Sequence, residues 1–156
     1  MHLRLLAVGD RQPGWVDDAF QSYAGRLPRD WRFRLDAIPT ARRGKSDAGD
    51  RAVADEGERL LAKLGRDERL VLLDERGQRL TSKALAERLQ EWQSDGRDVA
   101  FVIGGPDGVS ADVRGRADAT LSLSDLTLPH GLARVLLAEQ LYRAWSLAAG
   151  HPYHRA

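Results

Sequence analysis

The chain contains 156 residues, of which 42% are hydrophobic and 30% charged, values typical of one folded domain over residues 1–156 and incompatible with disorder throughout. It contains no cysteine, which excludes disulfides, thiolate nucleophiles and cysteine-ligated zinc or iron–sulfur sites. The 24 basic and 23 acidic residues nearly balance, and no run approaches the roughly 20 apolar residues of a membrane span, so we expect a cytoplasmic protein without a membrane partner.

The apolar residues of the first half alternate between strand-like and helical spacing. Pro39 closes the second predicted strand, and Gly65 ends the second predicted helix. In chain order, the predicted elements are a strand over 2–8, a helix over 15–26, a strand over 33–38 and a helix over 51–64.

The second half continues the alternation. The apolar runs LVLL at 70–73 and VAFVI at 99–103 are typical of strands buried on both faces. In chain order, the other predicted elements are a helix capped by Thr81 or Ser82 that runs through Trp92 and ends at Gly96, a short helix from Ser110 to about Arg116, a strand over 119–123 and a helix over 131–149.

Strands that alternate with helices predict an α/β fold, with a parallel sheet and helices on both of its faces. In such sheets, ligands bind beyond the carboxyl ends of the strands. The loops at 74–77, 104–110 and 122–131 follow predicted strands, so we expect a ligand site there.

Glycine is concentrated in the second of these loops, in the run GGPDG at 104–108. Bare backbone there would let a flat ligand approach the main chain, whereas the alternative is a tight turn that only needs positive φ. The run is not a dinucleotide or phosphate-binding glycine motif, which disfavours a kinase or nucleotide hydrolase. The run LSLSDLTLPH at 121–130 is either a pocket wall for an uncharged ring or an edge strand followed by a turn.

The C-terminal run HPYHRA at 151–156 is unusually rich in side-chain chemistry for a chain terminus. The pair His151 and His154 could suggest a metal, but Pro152 separates them and no acidic or thiol ligand is near, so we predict no metal site. Histidine and arginine beside an aromatic ring suit an RNA base better, through stacking, proton transfer and phosphate contact.

The last predicted helix has an apolar arc wide enough to indicate a self-association surface. Arg134 falls inside that arc, and its charge must be paired; the structural interpretation is a partly buried ion pair with an acidic residue such as Asp125 or Asp107. For Arg143, the structural alternative to a functional role is an ion pair with Glu139, four residues earlier.

Three motifs, IGGPDG, LSLSDLTLPHGLARVLLAEQLYRAW and HPYHR, resemble the ribosomal RNA large subunit methyltransferase H family, of the SPOUT class. The resemblance extends over essentially the whole chain through four further motifs, LRLLAVG, PGWV, YAGRLP and RRGK. It implies a SPOUT-type fold with a C-terminal trefoil knot and a homodimer. It also implies S-adenosylmethionine as co-substrate and methylation of N3 of a pseudouridine in 23S ribosomal RNA at the ribosomal subunit interface. No DNA partner is implied.

The resemblance also implies site residues. The cofactor pocket would comprise Leu73, Gly104, Gly105, Leu123, Ser124, Asp125, Leu126, Thr127 and Leu128. Asp125 stands where we expect a variable side chain, so only its main chain is expected to contribute.

As a mechanistic hypothesis, we predict that the catalytic residues are Arg143, Tyr153, His154 and Arg155. We expect His154 to be the base or proton relay, and Tyr153 to position or stack on the target base. Arg143 and Arg155 would contact the anion or a nearby phosphate. The tail would reach the cofactor pocket of the other subunit.

Residues 26–45 contain seven basic and only two acidic side chains, so Arg42, Arg43 and Lys45 could contact RNA phosphates. Two other functions stay open. One is a non-catalytic module that binds RNA or the ribosome, for which neither the glycine run nor the tail would be needed. The other is a different hydrolase or nucleotide binder, which the missing nucleophile and phosphate-binding motifs disfavour.

Overall fold

A computed structural model describes residues 1–9, 11–43 and 49–153. The strands are β1 (Leu3–Val8), β2 (Arg34–Ile38), β3 (Arg69–Arg79), β4 (Val99–Ile103) and β5 (Ala119–Ser122), and the helices are α1 (Gly14–Ala24), α2 (Asp50–Lys63), α3 (Ser82–Asp95), α4 (Ala111–Arg116) and α5 (His130–Ala149). Every predicted element is present, and a short 3-10 helix at Arg29–Trp31 was not predicted.

The strands form a parallel sheet, which confirms the predicted α/β fold. Within the described residues the sheet has five strands in the order β2-β1-β4-β3-β5. β1 pairs with β2 and with β4, and β3 pairs with β4 and with β5, in each case parallel. The trefoil knot stays a prediction.

Helices cover both faces of the sheet, as predicted. Side chains alternate between the two faces along each strand, so a strand contributes apolar residues to the contacts on both faces. On one face Leu3 and Leu5 pack in a cluster with residues of α1, α3 and α5, including Leu141. On the other face Leu6 and Val8 pack with residues of α2 and α4. β4, between two neighbours and two helical layers, is buried at every residue. None of the helices in the described part of the chain is both long and apolar enough to cross a membrane.

Sequence reasoning placed several helix ends correctly. The hydroxyl of Thr81 accepts a hydrogen bond from Ala84 N at 3.0 Å, and that of Ser110 accepts one from Val113 N at 3.2 Å. Each thereby satisfies one of the free N–H groups of a first helical turn. Gly96 ends α3 in the left-handed conformation, at φ 78°.

β3 is longer than the predicted strand over 70–73. Leu73 and Gln78 both pair with Leu121, so the residues between them leave the ladder and then the strand resumes. Gly77 closes this excursion, because a Cβ at that position would lie 2.7 Å from Leu121 N. The excursion contains Asp74, Glu75 and Arg76 and places them at the carboxyl edge of the sheet.

Candidate active site

A cleft of about 840 Å³ lies at the carboxyl ends of the strands. Its volume falls in the range of small-molecule sites, about 300–1,000 Å³. All three loops that the sequence singled out contribute to its walls. Eight of the nine predicted cofactor residues line it, namely Leu73, Gly104, Gly105, Leu123, Ser124, Leu126, Thr127 and Leu128.

The glycine run after β4 forms one wall by bringing its main chain close to other backbone. A Cβ on Gly104 would lie 2.6 Å from Val109 Cγ1 and 2.9 Å from the Gly108 carbonyl oxygen. Gly108 donates to the Gly105 carbonyl at 3.1 Å and has φ 84°. Both interpretations of the run therefore hold, since it is a tight turn that also presents bare backbone to the cleft.

Another wall of the cleft follows β5 and contains short-range hydrogen bonds. Ser122 Oγ donates to the Ser124 carbonyl at 2.9 Å, and Ser124 Oγ accepts from Leu126 N at 2.9 Å. The side chain of Leu126 is 75% exposed. This wall therefore offers apolar side chains and turned main chain, which suits the flat, uncharged ring of an adenosine.

Asp125 is the one predicted cofactor residue that does not line the cleft. Its carboxylate forms an ion pair with Arg79 at 2.7 Å, and both side chains are largely exposed. The structure thus gives this side chain a surface role. A contact between its main chain and a cofactor stays a prediction.

His130, the first residue of α5, lines the cleft and was not predicted as a site residue. Its buried Nε2 atom has no hydrogen-bond partner among the residues that the structure describes, and the ring has a backbone hydrogen bond with Gly104. Burial and the nearby charge of Arg134 lower the pKa of His130 to about 4. The ring is therefore neutral near pH 7, and an unpartnered nitrogen of this kind fits a cleft that takes a polar ligand.

Arg134 is buried, with 2% exposure, but the predicted ion pair with Asp125 or Asp107 is wrong. Its Nη2 donates to the Gly9 carbonyl, while Asp125 and Asp107 pair with other arginines. The reason is topological: the residue after β1 lies beside α5, whereas both aspartates belong to exposed loops. Burial lowers the pKa of Arg134.

Further polar residues that the sequence did not single out line the cleft, including Arg11, Gln12, Thr40 and Arg114. Arg114 forms an ion pair with Asp74 at 2.7 Å. Burial alone would raise the pKa of Asp74, but hydrogen bonds from Arg76 N and Arg114 lower it below its usual value. The sequence could have indicated Arg11, Gln12 and Thr40, because these residues follow the carboxyl ends of β1 and β2.

Arg143 and Tyr153 come together on one carboxylate, that of Glu139. Its Oε1 accepts from Arg143 Nη2 at 2.7 Å and from Tyr153 Oη at 2.9 Å. The guanidinium lies 5.2 Å from the centre of the Tyr153 ring. The i,i+4 ion pair is therefore confirmed, but the link from Glu139 to Tyr153 was missed. We call Glu139, Arg143 and Tyr153 the Glu139 cluster.

The electrostatics of the Glu139 cluster favour the protonated forms. Burial and the hydrogen bond to Glu139 raise the pKa of Tyr153 to about 12, so the phenol is a donor at neutral pH. The Glu139 hydrogen bond raises the pKa of Arg143. His154 and Arg155 lie outside the described residues.

The Glu139 cluster is remote from the cleft of its own chain. His130 and Ala133 line the cleft at the start of α5, and Arg143 follows Ala133 ten residues later in the same helix. At 1.5 Å per residue, Arg143 is about 15 Å from Ala133 along the helix axis. One chain therefore does not bring together all the predicted site residues.

Of the basic residues predicted to contact phosphate, Arg43 is already engaged. Its guanidinium pairs with Glu56 at 2.7 Å and with Asp107 at 3.0 Å. A contact between Arg43 and an RNA phosphate stays a prediction. Arg42 is exposed, and Lys45 lies outside the described residues.

The predicted absence of a metal site concerned the histidine pair of the tail, half of which lies outside the described residues. Within 1–9, 11–43 and 49–153, no three histidine, aspartate or glutamate side chains are grouped so as to hold a metal ion.

Comparison with known proteins gives consistent results. The family model described as a predicted SPOUT methyltransferase matches residues 1–154. A ribosomal RNA large subunit methyltransferase H from Methylibium petroleiphilum is 56% identical over 155 residues, 99% of each chain. One from Burkholderia mallei is 50% identical over 156 residues, the whole of both chains.

A solved structure shows the same fold. A probable methylase family protein from Haemophilus influenzae superposes with a TM-score of 0.58 at 13% identity, over 99% of this chain and 70% of the other. The model match and the two relatives cover nearly every residue. The chain belongs to the SPOUT methyltransferases and, within them, to the ribosomal RNA large subunit methyltransferase H family.

Proposed function

We propose that this protein transfers a methyl group from S-adenosylmethionine to N3 of a pseudouridine in 23S ribosomal RNA, on the assembled ribosome in the cytoplasm. One observation carries the proposal: a single cleft is lined by eight of the nine residues that family resemblance assigns to the cofactor. The relatives named as ribosomal RNA large subunit methyltransferases support the class of substrate.

The cleft suits S-adenosylmethionine by the chemistry of its walls. Main chain at 104–105 and 123–128 would hold the adenosine, with Leu73 and Leu128 as apolar cover. The Nε2 atom of His130, which has no hydrogen-bond partner among the described residues, is a polar group available to the rest of the molecule, and Arg114, paired with Asp74, adds a cation to the lining. When bound, the cofactor supplies an electrophilic methyl group on a sulfonium.

The acceptor atom needs help from the protein. N3 of a uracil-type base carries a proton near neutral pH and is a poor nucleophile in that form, so a base must remove the proton. Tyr153 does not serve, because its phenol stays protonated with a pKa of about 12. We assign the removal of this proton to His154. Arg143 would stabilise the negative charge that spreads onto the neighbouring carbonyl oxygens, and Arg155 would contact the anion or a phosphate.

The separation along α5 favours a second chain. Arg143 lies about 15 Å along the helix axis from Ala133, and its guanidinium is held by Glu139 rather than placed in the cleft. We infer that two copies form a homodimer in which the tail of one completes the cleft of the other. Partly buried Trp145 and the 39% exposed Leu132 leave apolar area on α5 for such an interface.

Mass spectrometry of 23S ribosomal RNA tests the substrate. We expect cells that lack the protein to lose one methyl group on one pseudouridine, and complementation with the intact chain to restore it. Unchanged RNA would contradict the proposal. Calorimetry with S-adenosylmethionine separates the enzyme from a non-catalytic binder, because only the enzyme should release heat of cofactor binding.

A further inference from the structure

A buried carboxylate lies between the basic segment and the glycine run. Glu56, on α2, is 2% exposed. Its Oε2 accepts from Ala41 N at 2.9 Å and from Arg43 Nη1 at 2.7 Å, and its Oε1 accepts from Arg43 Nη2 at 3.3 Å. A carboxylate this deep requires a cationic partner, and Arg43 provides it.

Arg43 extends this contact to the cleft. Its Nε donates to Asp107 Oδ2 at 3.0 Å, and its Nη1 also donates to the Ala41 carbonyl at 2.8 Å. Asp107 belongs to the glycine run that forms one wall of the cleft. A single guanidinium therefore ties the segment after β2 to α2 and to the glycine run, while Arg43 itself does not line the cleft.

The backbone of the glycine run also rests on Glu56 directly. A Cβ on Gly105 would lie 3.0 Å from Glu56 Oε1 and 3.0 Å from Val8 Cγ1. A Cβ on Gly49 would lie 2.5 Å from Asp107 Oδ2. The run is thus in close contact with Glu56 and with Gly49, and Arg43 reaches it through Asp107.

We propose that Glu56, Arg43 and Asp107 form a clasp that positions the glycine run for the methyl donor, so that Arg43 serves cofactor binding rather than RNA contact. The proposal rests on the proposed function, because it names S-adenosylmethionine as the ligand of the cleft. These are positioning residues, since Glu56 and Arg43 act only through the run. Their loss should loosen the run in the free protein and weaken cofactor binding without any RNA present.

The test compares neighbouring arginines in the full-length protein. Arg43→Gln removes the clasp, whereas Arg42→Gln removes a charge from the adjacent exposed position and serves as the matched control. In calorimetry without RNA, we expect Arg43→Gln to raise the Kd for S-adenosylmethionine about five- to twentyfold and Arg42→Gln to change it less than about twofold. Arg43→Lys, which keeps the charge but not the forked geometry, should give an intermediate Kd and serves if the glutamine variant does not fold.

A double variant tests the route through Asp107. If Arg43 acts by holding that carboxylate, adding Asp107→Asn to Arg43→Gln should weaken binding little beyond Arg43→Gln alone. If the two substitutions raise the Kd for S-adenosylmethionine by factors that multiply, the two side chains act independently, and the clasp is overturned.

Hydrogen exchange supplies a readout that needs no cofactor. Amides at 104–108 should exchange faster in Arg43→Gln than in Arg42→Gln. Equal exchange in the two variants, with equal cofactor affinity and weaker RNA binding in both, would make Arg43 an RNA contact and overturn the proposal. If the unmodified protein does not bind S-adenosylmethionine, the proposed function fails, whereas the exchange experiment still decides whether the clasp exists.

Discussion

The cleft and the Glu139 cluster are built in contrasting ways from one chain. The cleft uses the main chain of loops at the carboxyl ends of parallel strands, so its shape depends on glycines such as Gly104 and on topology. The Glu139 cluster uses charged and aromatic side chains of one helix and the segment after it. We infer that cofactor binding belongs to one chain, whereas the chemistry requires two.

The largest expected effect comes from removing the tail. A protein that ends at Gly150 loses Tyr153 and the proposed base His154, while no residue that lines the cleft is touched. We expect methyl transfer to ribosomes to fall by about 10²–10⁴-fold, the usual contribution of a general base. The Kd for S-adenosylmethionine should stay within about twofold. Turnover by the shortened protein at the parent rate would place the chemistry elsewhere and remove the contrast between the two regions.

A substitution in the glycine run should weaken cofactor binding, which removal of the tail leaves nearly unchanged. In Gly104→Ala, the new Cβ would lie 2.6 Å from Val109 Cγ1 and 2.9 Å from backbone, so the run must shift. Overpacking of about 1–3 kcal/mol should weaken cofactor binding by about 5- to 150-fold. Gly115→Ala on α4 is the control, because its Cβ would meet nothing within 4 Å. Calorimetry that shows equal affinities for the two variants would mean that the ligand does not use this wall.

Glu139→Gln should separate positioning from binding. The amide cannot hold Arg143 as a carboxylate does, so we expect kcat to fall by about tenfold or more while KM for S-adenosylmethionine is unchanged. Because Glu139 raises the pKa of Tyr153, the substitution should lower that pKa from about 12 toward its ordinary value. Ultraviolet titration of the phenols measures this. Glu87→Gln, at an exposed position of α3, should change neither quantity.

Sequence reasoning succeeded where local rules decide the structure. Buried runs at β3 and β4, and caps such as Thr81 and Ser110, express side-chain burial and hydrogen bonding within a few residues. The carboxyl-end rule then placed the cleft. These predictions needed no knowledge of which distant residues meet.

It failed where distant segments meet. The excursion between Leu73 and Gln78 depends on pairing with β5, about 45 residues away, which no local pattern encodes. The partner of Arg134 is a backbone carbonyl, and every residue has one, so the sequence cannot single it out. Glu139 was visible as an i,i+4 partner, but its contact with Tyr153 depends on how the chain turns back after Gly150.

The smallest expected effect is a pH dependence that distinguishes the two regions. The pKa of His130 is about 4 in the folded protein, below the unfolded value of 6.5, so the unfolded chain takes up the proton first as pH falls. Stability from this residue is complete above pH 6.5 and is lost between pH 6.5 and 4, on the order of 1–2 kcal/mol after allowance for partial exposure. Urea unfolding measures this loss. As pH falls over that interval, the free energy of unfolding of His130→Gln should decline less steeply than that of the unmodified protein or of the exposed control His2→Gln. Identical slopes would mean that the ring is not held neutral beside the cleft, whereas Tyr153 should stay uncharged throughout this range.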